Sequence, residues 1–346
     1  MSSEQTPVAL IGVAVDVSGS TQGSIRNRNG TSQSRFESFQ EALIRVVRAS
    51  RQPAEELARS GGGGGAEALV FAYAFGLSTS PEVVDLLALL AAAEGVITPG
   101  EIEQLKQRYS EEIRQRYAGY AGLASLARIY GLGGFVDQYA AGARASAEEE
   151  VRGKIKEEIM GRVRKRLATK SAVTSTLTEL ARLLSAGPTS FDYAEHFIFG
   201  STPMRKCLEQ VADRFALEAG KLPVGSHKFL VLVSDGEPTD GDPMSALARI
   251  RSQGVFVASC LVTDADVTEP RRLYAEPCAE WNRAARLMFE AASAVEDDDV
   301  YRELLEGQGW LVAPKSRLFT QINHSEMIDE FLALAFSRAQ GGPSPG

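Results

Sequence analysis

The stretch "VALIGVAVDVSGST", Val8 to Thr21, decides how the rest of the chain is read. An unbroken apolar run ends in Asp16, and three hydroxyl side chains, Ser18, Ser20 and Thr21, follow around a glycine. Continuous rather than alternating apolar residues are the mark of a strand buried on both faces of a parallel sheet. The polar end can be a mere turn, or it can deliver hard oxygen donors to a metal ion.

Other stretches repeat the pattern. "ALVFAYAFG", "HKFLVLVSDG" and "GVFVASCLVT" are continuous apolar runs, and a shorter one, "RLFTQIN", precedes a closing helical pattern, "SEMIDEFLALAFSRA". Helical patterns fall between them: "SRFESFQEALIRVVRAS", "GSTPMRKCLEQVADRFALEAG" and "DPMSALARIRSQ". Strands alternating with helices specify an α/β architecture, a Rossmann-like and mostly parallel sheet flanked by helices. The Gly61 to Gly65 run reads as a flexible connection into the second strand.

The alternation breaks after Gly76. Residues 77–197 show helical patterns and no convincing central strand, so the expected organisation is a sheet domain of residues 1–76 and 198–346 interrupted by an α-helical insertion of 77–197. Inside it, "LLALLAAAEGVITPGEIEQLKQRY" has the outline of a calcium-binding loop, but Leu90 and Ala92 occupy the first two ligand places and offer no oxygen. A capping box of Thr98 and Glu101, with Pro99 opening the helix, explains the same letters. The charge-poor "YAGYAGLASLARIYGLGGFVDQYAAGARA" reads as a close-packed helical hairpin, or as a membrane- or partner-binding helix. Glu148 with Arg152, Glu150 with Lys154, and Glu158 with Arg162 are spaced for pairing along a solvated helix.

The chain has 346 residues, 44% of them hydrophobic, and a formal net charge of -8, which argues against a general nucleic-acid binder. Cys207, Cys260 and Cys278 form no CxxC motif and no even framework, which fits reduced thiols in a cytoplasmic protein. The polar start "MSSEQTP" does not resemble a secretory signal, and no apolar run is long enough to span a membrane.

In a parallel sheet, functional groups gather at the carboxyl ends of the strands. Asp16, Ser18 and Ser20 lie at one such end and Asp235 of "VLVSDGEPTDG" at another, while "GSTPM" sets Thr202 at a helix entrance. Oxygen donors without His or Cys suit Mg²⁺ or Mn²⁺ rather than zinc. Each piece also has a plainer reading: a polar turn for "DVSGST", a cap for Thr202, a turn residue for Asp235. Glu237, Asp240 and Asp242 read as turn and cap residues.

With these residues in place the chain resembles the von Willebrand factor type A (VWA) domains, whose metal-ion-dependent adhesion site (MIDAS) has the pattern DxSxS, a distant Thr, and a distant Asp in a DG turn. Asp16, Ser18, Ser20, Thr202 and Asp235 fill all five positions in order. The resemblance covers about residues 5–76 and 198–340. It implies a Mg²⁺-dependent protein-binding module in which Ser18, Ser20 and Thr202 touch the metal or its waters, Asp16 and Asp235 act directly or through water, and an acidic residue of a partner completes the coordination. The "SDGEPTDG" wording is closer to intracellular bacterial members, which often work beside AAA+ ATPases or in multi-protein stress and defence systems. The long connection from Asp264 onward and the polar loop 22–34 depart from the simplest members, and loops on a rigid scaffold carry recognition. An acidic side chain from Asp264, Asp266 or Glu269 would then be placed to occupy the open metal position until a partner displaces it.

Two other function classes compete. A metal-dependent hydrolase would use Asp16 as nucleophile or base, but the three histidines, His196, His227 and His324, lie in no nucleophile motif, and neither a GxSxG elbow nor a GxxxxGK[ST] loop is present. A scaffold would bind partners or membrane through the helical insertion alone. The expectation is a non-enzymatic binding module that meets another protein through its metal face.

Overall fold

The computed structural model describes residues 9–18, 24–26, 32–34, 68–76, 82–129, 133–170, 173–176, 179–180, 182, 201–223, 226–263, 267–296 and 300–322. The helical pattern after Ser34, the Gly61 to Gly65 run, the closing helix, His196 and His324 lie outside them.

Contacts divide the chain into two compact units, one of residues 1–90 and 172–346 and one of 91–171. In the first, the five apolar runs form strands: β1 (Ala9–Asp16), β4 (Leu69–Phe75), β7 (His227–Ser234), β8 (Val255–Val262) and β11 (Phe319–Ile322). They hydrogen-bond in parallel in the order β11-β8-β7-β1-β4, as the continuous hydrophobicity requires. The result is a mixed α/β fold with a mostly parallel central sheet flanked by helices. A small antiparallel ladder, β2 (Ser24–Arg26) with β3 (Ser32–Ser34), follows β1.

The sheet also takes in short strands from within residues 77–197, where the sequence shows helical patterns and no convincing central strand. Two short strands, β5 (Val83–Asp85) and β6 (Ser175–Thr176), pair antiparallel with successive parts of β4 and cover its edge. At three and two residues they are too short to show a period. Residues 82–90 and 173–176 therefore group with the sheet, and the helical unit is narrower than 77–197. One carboxylate ties the two chain crossings together. Asp85 Oδ1 accepts from Ala88 N at 2.9 Å, at the start of α1 (Leu86–Ala93), and its Oδ2 accepts from Val173 N at 2.7 Å.

The helix α4, Met204–Ala219, covers one face of the sheet; α2 and α3 are the two helices of the other unit. Met204, Cys207, Leu208, Val211, Ala212 and Phe215 recur at helical spacing and are buried. Burying one such large side chain contributes about 1.5–3 kcal/mol. Phe215 meets Phe71 edge-on at 4.9 Å, and both rings crowd Gly12 of β1, where a Cβ would lie 2.8 Å from each. Near its end, buried Arg214 and Glu218 pair at 3.1 Å, and both bond the Thr174 hydroxyl just before β6.

The long connection after β8 folds around Trp281, whose ring meets Tyr274, Phe289 and Phe319 at 5.2–5.5 Å and whose Nε1 donates to Val267 O at 2.9 Å. The side-chain oxygen of Gln321 in β11 accepts from Val267 N and Thr268 N. Short strands β9 (Arg272–Leu273) and β10 (Leu311–Val312) pair in parallel, and α5 (Met244–Ser252), α6 (Arg283–Ala291) and α7 (Val300–Gly307) complete the unit.

The second unit is a helical hairpin of α2 (Pro99–Ile129) and α3 (Gly133–Leu167). The capping box forms as expected: Glu101 N donates to Thr98 Oγ1 at 3.2 Å and Thr98 N to Glu101 Oε2 at 2.8 Å. Glu101 also pairs with Arg162 at 2.9 Å, so its carboxylate serves both the helix start and the packing of the hairpin. Of the expected pairs along one helix, Glu158 and Arg162 meet at 3.4 Å, and Lys154 also reaches across to Glu112 of α2. Among the described residues no helix is long and apolar enough to cross a membrane.

Candidate metal centre

β1 runs between β7 and β4, so the chain leaves it toward one side of the sheet and later returns to the other. That reversal opens a crevice at the carboxyl ends of β1 and β7. The register sets Val15 beside Val233, which brings the next residues, Asp16 and Ser234, into contact. The Ser234 hydroxyl donates to Asp16 Oδ2 at 2.6 Å, and Ser18 N donates to Asp16 Oδ1 at 2.9 Å. Ser234 Oγ in turn accepts from Gly236 N at 3.1 Å. Gly236 has a φ of +79°, and a Cβ there would lie 2.7 Å from Ala284 O, so the turn needs glycine.

Asp16 is buried, 4% exposed. Burial above all, and then the charge of Asp235, push its carboxyl up from 3.8 to about 6, against the lowering effect of the Ser234 and Ser18 donors. The Asp235 charge is thus near enough to be felt by the buried acid, and the groups that relieve that acid are neutral donors. Asp235 is half-buried, its Oδ1 accepting from Glu237 N at 3.1 Å.

Ser18 is buried and held from the other side. Val17 N donates to Phe75 O at 2.8 Å, and the chain then turns at Gly76, φ +93°, where a Cβ would lie 2.6 Å from Ser18 N. Only glycine lets the end of β4 pass this close.

Thr202, also buried, reaches the Asp235 loop through a reciprocal pair: Thr202 N donates to Thr239 Oγ1 at 3.0 Å and Thr239 N to Thr202 O at 2.9 Å. The N-cap of α4 is Pro203, whose side chain has no oxygen to give. The amides of Arg205 and Lys206 donate instead to Asp240 Oδ1 and Oδ2, at 3.1 and 2.8 Å. Capping of α4 therefore does not draw on the Thr202 hydroxyl.

The fold brings Asp16, Ser18 and Asp235 together and ties Thr202 to the loop that Asp235 begins; Ser20 lies outside the described residues. Ser234, Gly76 and Thr239 join the site without having been singled out in the sequence. The "SDG" triplet carries a signal for Ser234, since it precedes the acid, whereas nothing local marks Thr239. Asp264 and Asp266 lie outside the described residues, and Glu269 pairs with Arg272 at 2.8 Å, away from the role of a free carboxylate. His227 is exposed at the start of β7.

Among the described residues no three His, Cys, Asp or Glu side chains converge. The donors at the crevice are two acids and hydroxyls, a hard, oxygen-only set. Its excess negative charge fits a small divalent cation such as Mg²⁺ and not zinc.

The architecture and this crevice define a class, α/β sheet proteins with an oxygen-rich site at a topological switch point. Residues 194–295 match the von Willebrand factor type A domain family, generally a protein-interaction module. The matched segment holds Thr202 and Asp235; Asp16 and Ser18 join it through β1. No match was found among curated proteins. Similar solved structures include the pilus adhesin SpaC from Lactobacillus rhamnosus GG, with TM-score 0.42 and 9% identity over 96% of this chain and 31% of that one. Another is the conserved hypothetical protein BatB from Bacteroides thetaiotaomicron, with TM-score 0.39 and 11% identity over 96% and 98% of the two chains. A third, an aerotolerance-related membrane protein from Bacteroides fragilis, gives 0.39 and 10% over 95% and 99%.

Proposed function

We propose that this chain is a divalent-cation-dependent protein-binding module whose MIDAS is formed by Asp16, Ser18, Ser20, Thr202 and Asp235. The observation that carries this reading is the pair of acids at the ends of β1 and β7, one buried and raised to about 6 by desolvation and by the other. A buried acid with an unbalanced neighbour is a cost to the fold that a bound cation removes. When bound, Mg²⁺ or Mn²⁺ supplies an electrophilic centre. Ser234 and Ser18 orient the Asp16 carboxylate toward it, Asp235 adds the second negative charge, and the Ser and Thr hydroxyls add neutral donors. Two negative charges and neutral hydroxyls leave a divalent ion able to accept a carboxylate from a partner, a charge-assisted and directional contact.

The module is non-enzymatic in this reading, works in a bacterial cytoplasm within a multi-protein system, and carries its helical segment as an insertion in the sheet domain. Calorimetric titration of Mg²⁺ and Mn²⁺ into metal-free protein tests the site, with Asp16→Ala and Asp235→Ala as folded controls. About one ion bound, and lost in both variants, is the expected result. Partner capture that persists in EDTA, or that follows the helical hairpin in an Asp16→Ala background, refutes the metal-face reading.

A further inference from the structure

The loop that follows Asp235 does more than turn the chain. Thr239 and Thr202 exchange two hydrogen bonds, one through the Thr239 hydroxyl and one through its amide, at 3.0 and 2.9 Å. The next residue, Asp240, places one carboxylate oxygen on each of two amides in the first turn of α4, and its own carbonyl accepts from Arg205 Nε at 2.9 Å. The first amides of a helix have no partner inside it and carry its positive pole. Here Pro203 occupies the cap, so a carboxylate from more than thirty residues downstream satisfies them.

Thr202 sits between these two attachments, immediately before Pro203. Its backbone is fixed on one side by Thr239 and, through the start of α4, on the other by Asp240. Both attachments originate in the segment that begins with Asp235.

We propose that Thr239 and Asp240 are positioning residues that join the Thr202 loop to the Asp235 loop, so that the two metal-binding segments hold their geometry before the ion arrives. The proposal rests on the metal-face reading above. Neither residue contacts the ion in this scheme. They act by pre-organisation, the role that outer partners play at metal sites, where their loss commonly weakens affinity about 10–100-fold.

The test uses the full chain with Thr239→Val, Thr239→Ser and Asp240→Ala. Amide hydrogen exchange in metal-free protein reads the attachment directly. Faster exchange at Thr202 in Thr239→Val, and at Arg205 and Lys206 in Asp240→Ala, is expected, with Thr239→Ser close to native. Mg²⁺ titration reads its consequence: an affinity about tenfold weaker in Thr239→Val, recovered in Thr239→Ser, with an unfolding midpoint near native because Thr239 is exposed. Unchanged exchange overturns the attachment. Changed exchange with unchanged Mg²⁺ affinity overturns the positioning role alone and leaves the metal site standing. Native protein that binds no Mg²⁺ overturns the metal-face reading and this proposal with it, while exchange still reports the loop contact.

Discussion

Replacing Asp16 with Asn separates the cost of its charge from the shape of its side chain. Asn keeps an oxygen for the Ser18 amide and presents an NH₂ group to Ser234 Oγ, which can turn to accept. The charge is lost, and with it the acceptor for the Ser234 hydroxyl proton. In the native fold the Asp16 carboxyl is raised from 3.8 to about 6, chiefly by burial and then by Asp235. At about 1.36 kcal/mol per pH unit of pKa difference, this corresponds to roughly 3 kcal/mol of destabilisation once the group is ionised in both states. The folded state holds the proton more tightly than the unfolded chain. Stability from this group is therefore fully present below about 3.8 and is lost as pH rises to about 6. Without metal, Asp16→Asn is expected to be more stable than native by about 1–3 kcal/mol at pH 7 and nearly equal to it at pH 4. Denaturant unfolding in chelator, followed by tryptophan fluorescence, measures this. Both tryptophans, Trp281 and Trp310, lie in the sheet unit, so the signal excludes the hairpin. Mg²⁺ at a hundred times its Kd narrows or closes this gap at pH 7, since it stabilises the native protein by about 2.7 kcal/mol and is not expected to bind the variant. A stability difference between the two proteins that is the same at pH 4 and pH 7 refutes the argument.

Gly76→Ala forces a Cβ to within 2.6 Å of Ser18 N at a φ of +93°; a loss of about 1–3 kcal/mol is expected, together with weaker Mg²⁺ binding by calorimetry. Arg214→Met leaves the buried Glu218 carboxylate with only Lys221 and the Thr174 hydroxyl as donors and costs about 1–3 kcal/mol by chemical denaturation, part of it regained when Glu218→Met is added. Trp281→Ala removes the ring shared by Tyr274, Phe289 and Phe319; a loss of about 3–5 kcal/mol by circular dichroism, with proteolysis of the 267–282 segment, is expected.

The five parallel strands were legible because burial on both faces leaves no alternation, and their identity needs no knowledge of distant partners. Thr98 and Glu101 were legible for the opposite reason, since a capping box closes within four residues. What escaped depends on chain segments meeting in space. β5 and β6 have three and two residues and exist only because the β4 edge accepts them. Lys154 bridges to Glu112, a contact that the hairpin makes and that spacing along one helix does not announce. At the site, Asp16 and Asp235 announced themselves as acids ending apolar runs. Ser234 did not, because its role comes from a register shared by strands more than two hundred residues apart. Asp240 was read correctly as a cap, but the helix that it caps begins long before it.

Asp85 holds Ala88 and Val173 with its two oxygens, so the chain departs from the sheet and comes back to it at a single side chain. Seen from the sheet, everything between is one excursion with its ends already joined. Such an excursion can be lengthened, trimmed or exchanged without rethreading a strand, since the cost of closing a loop grows only slowly with its length.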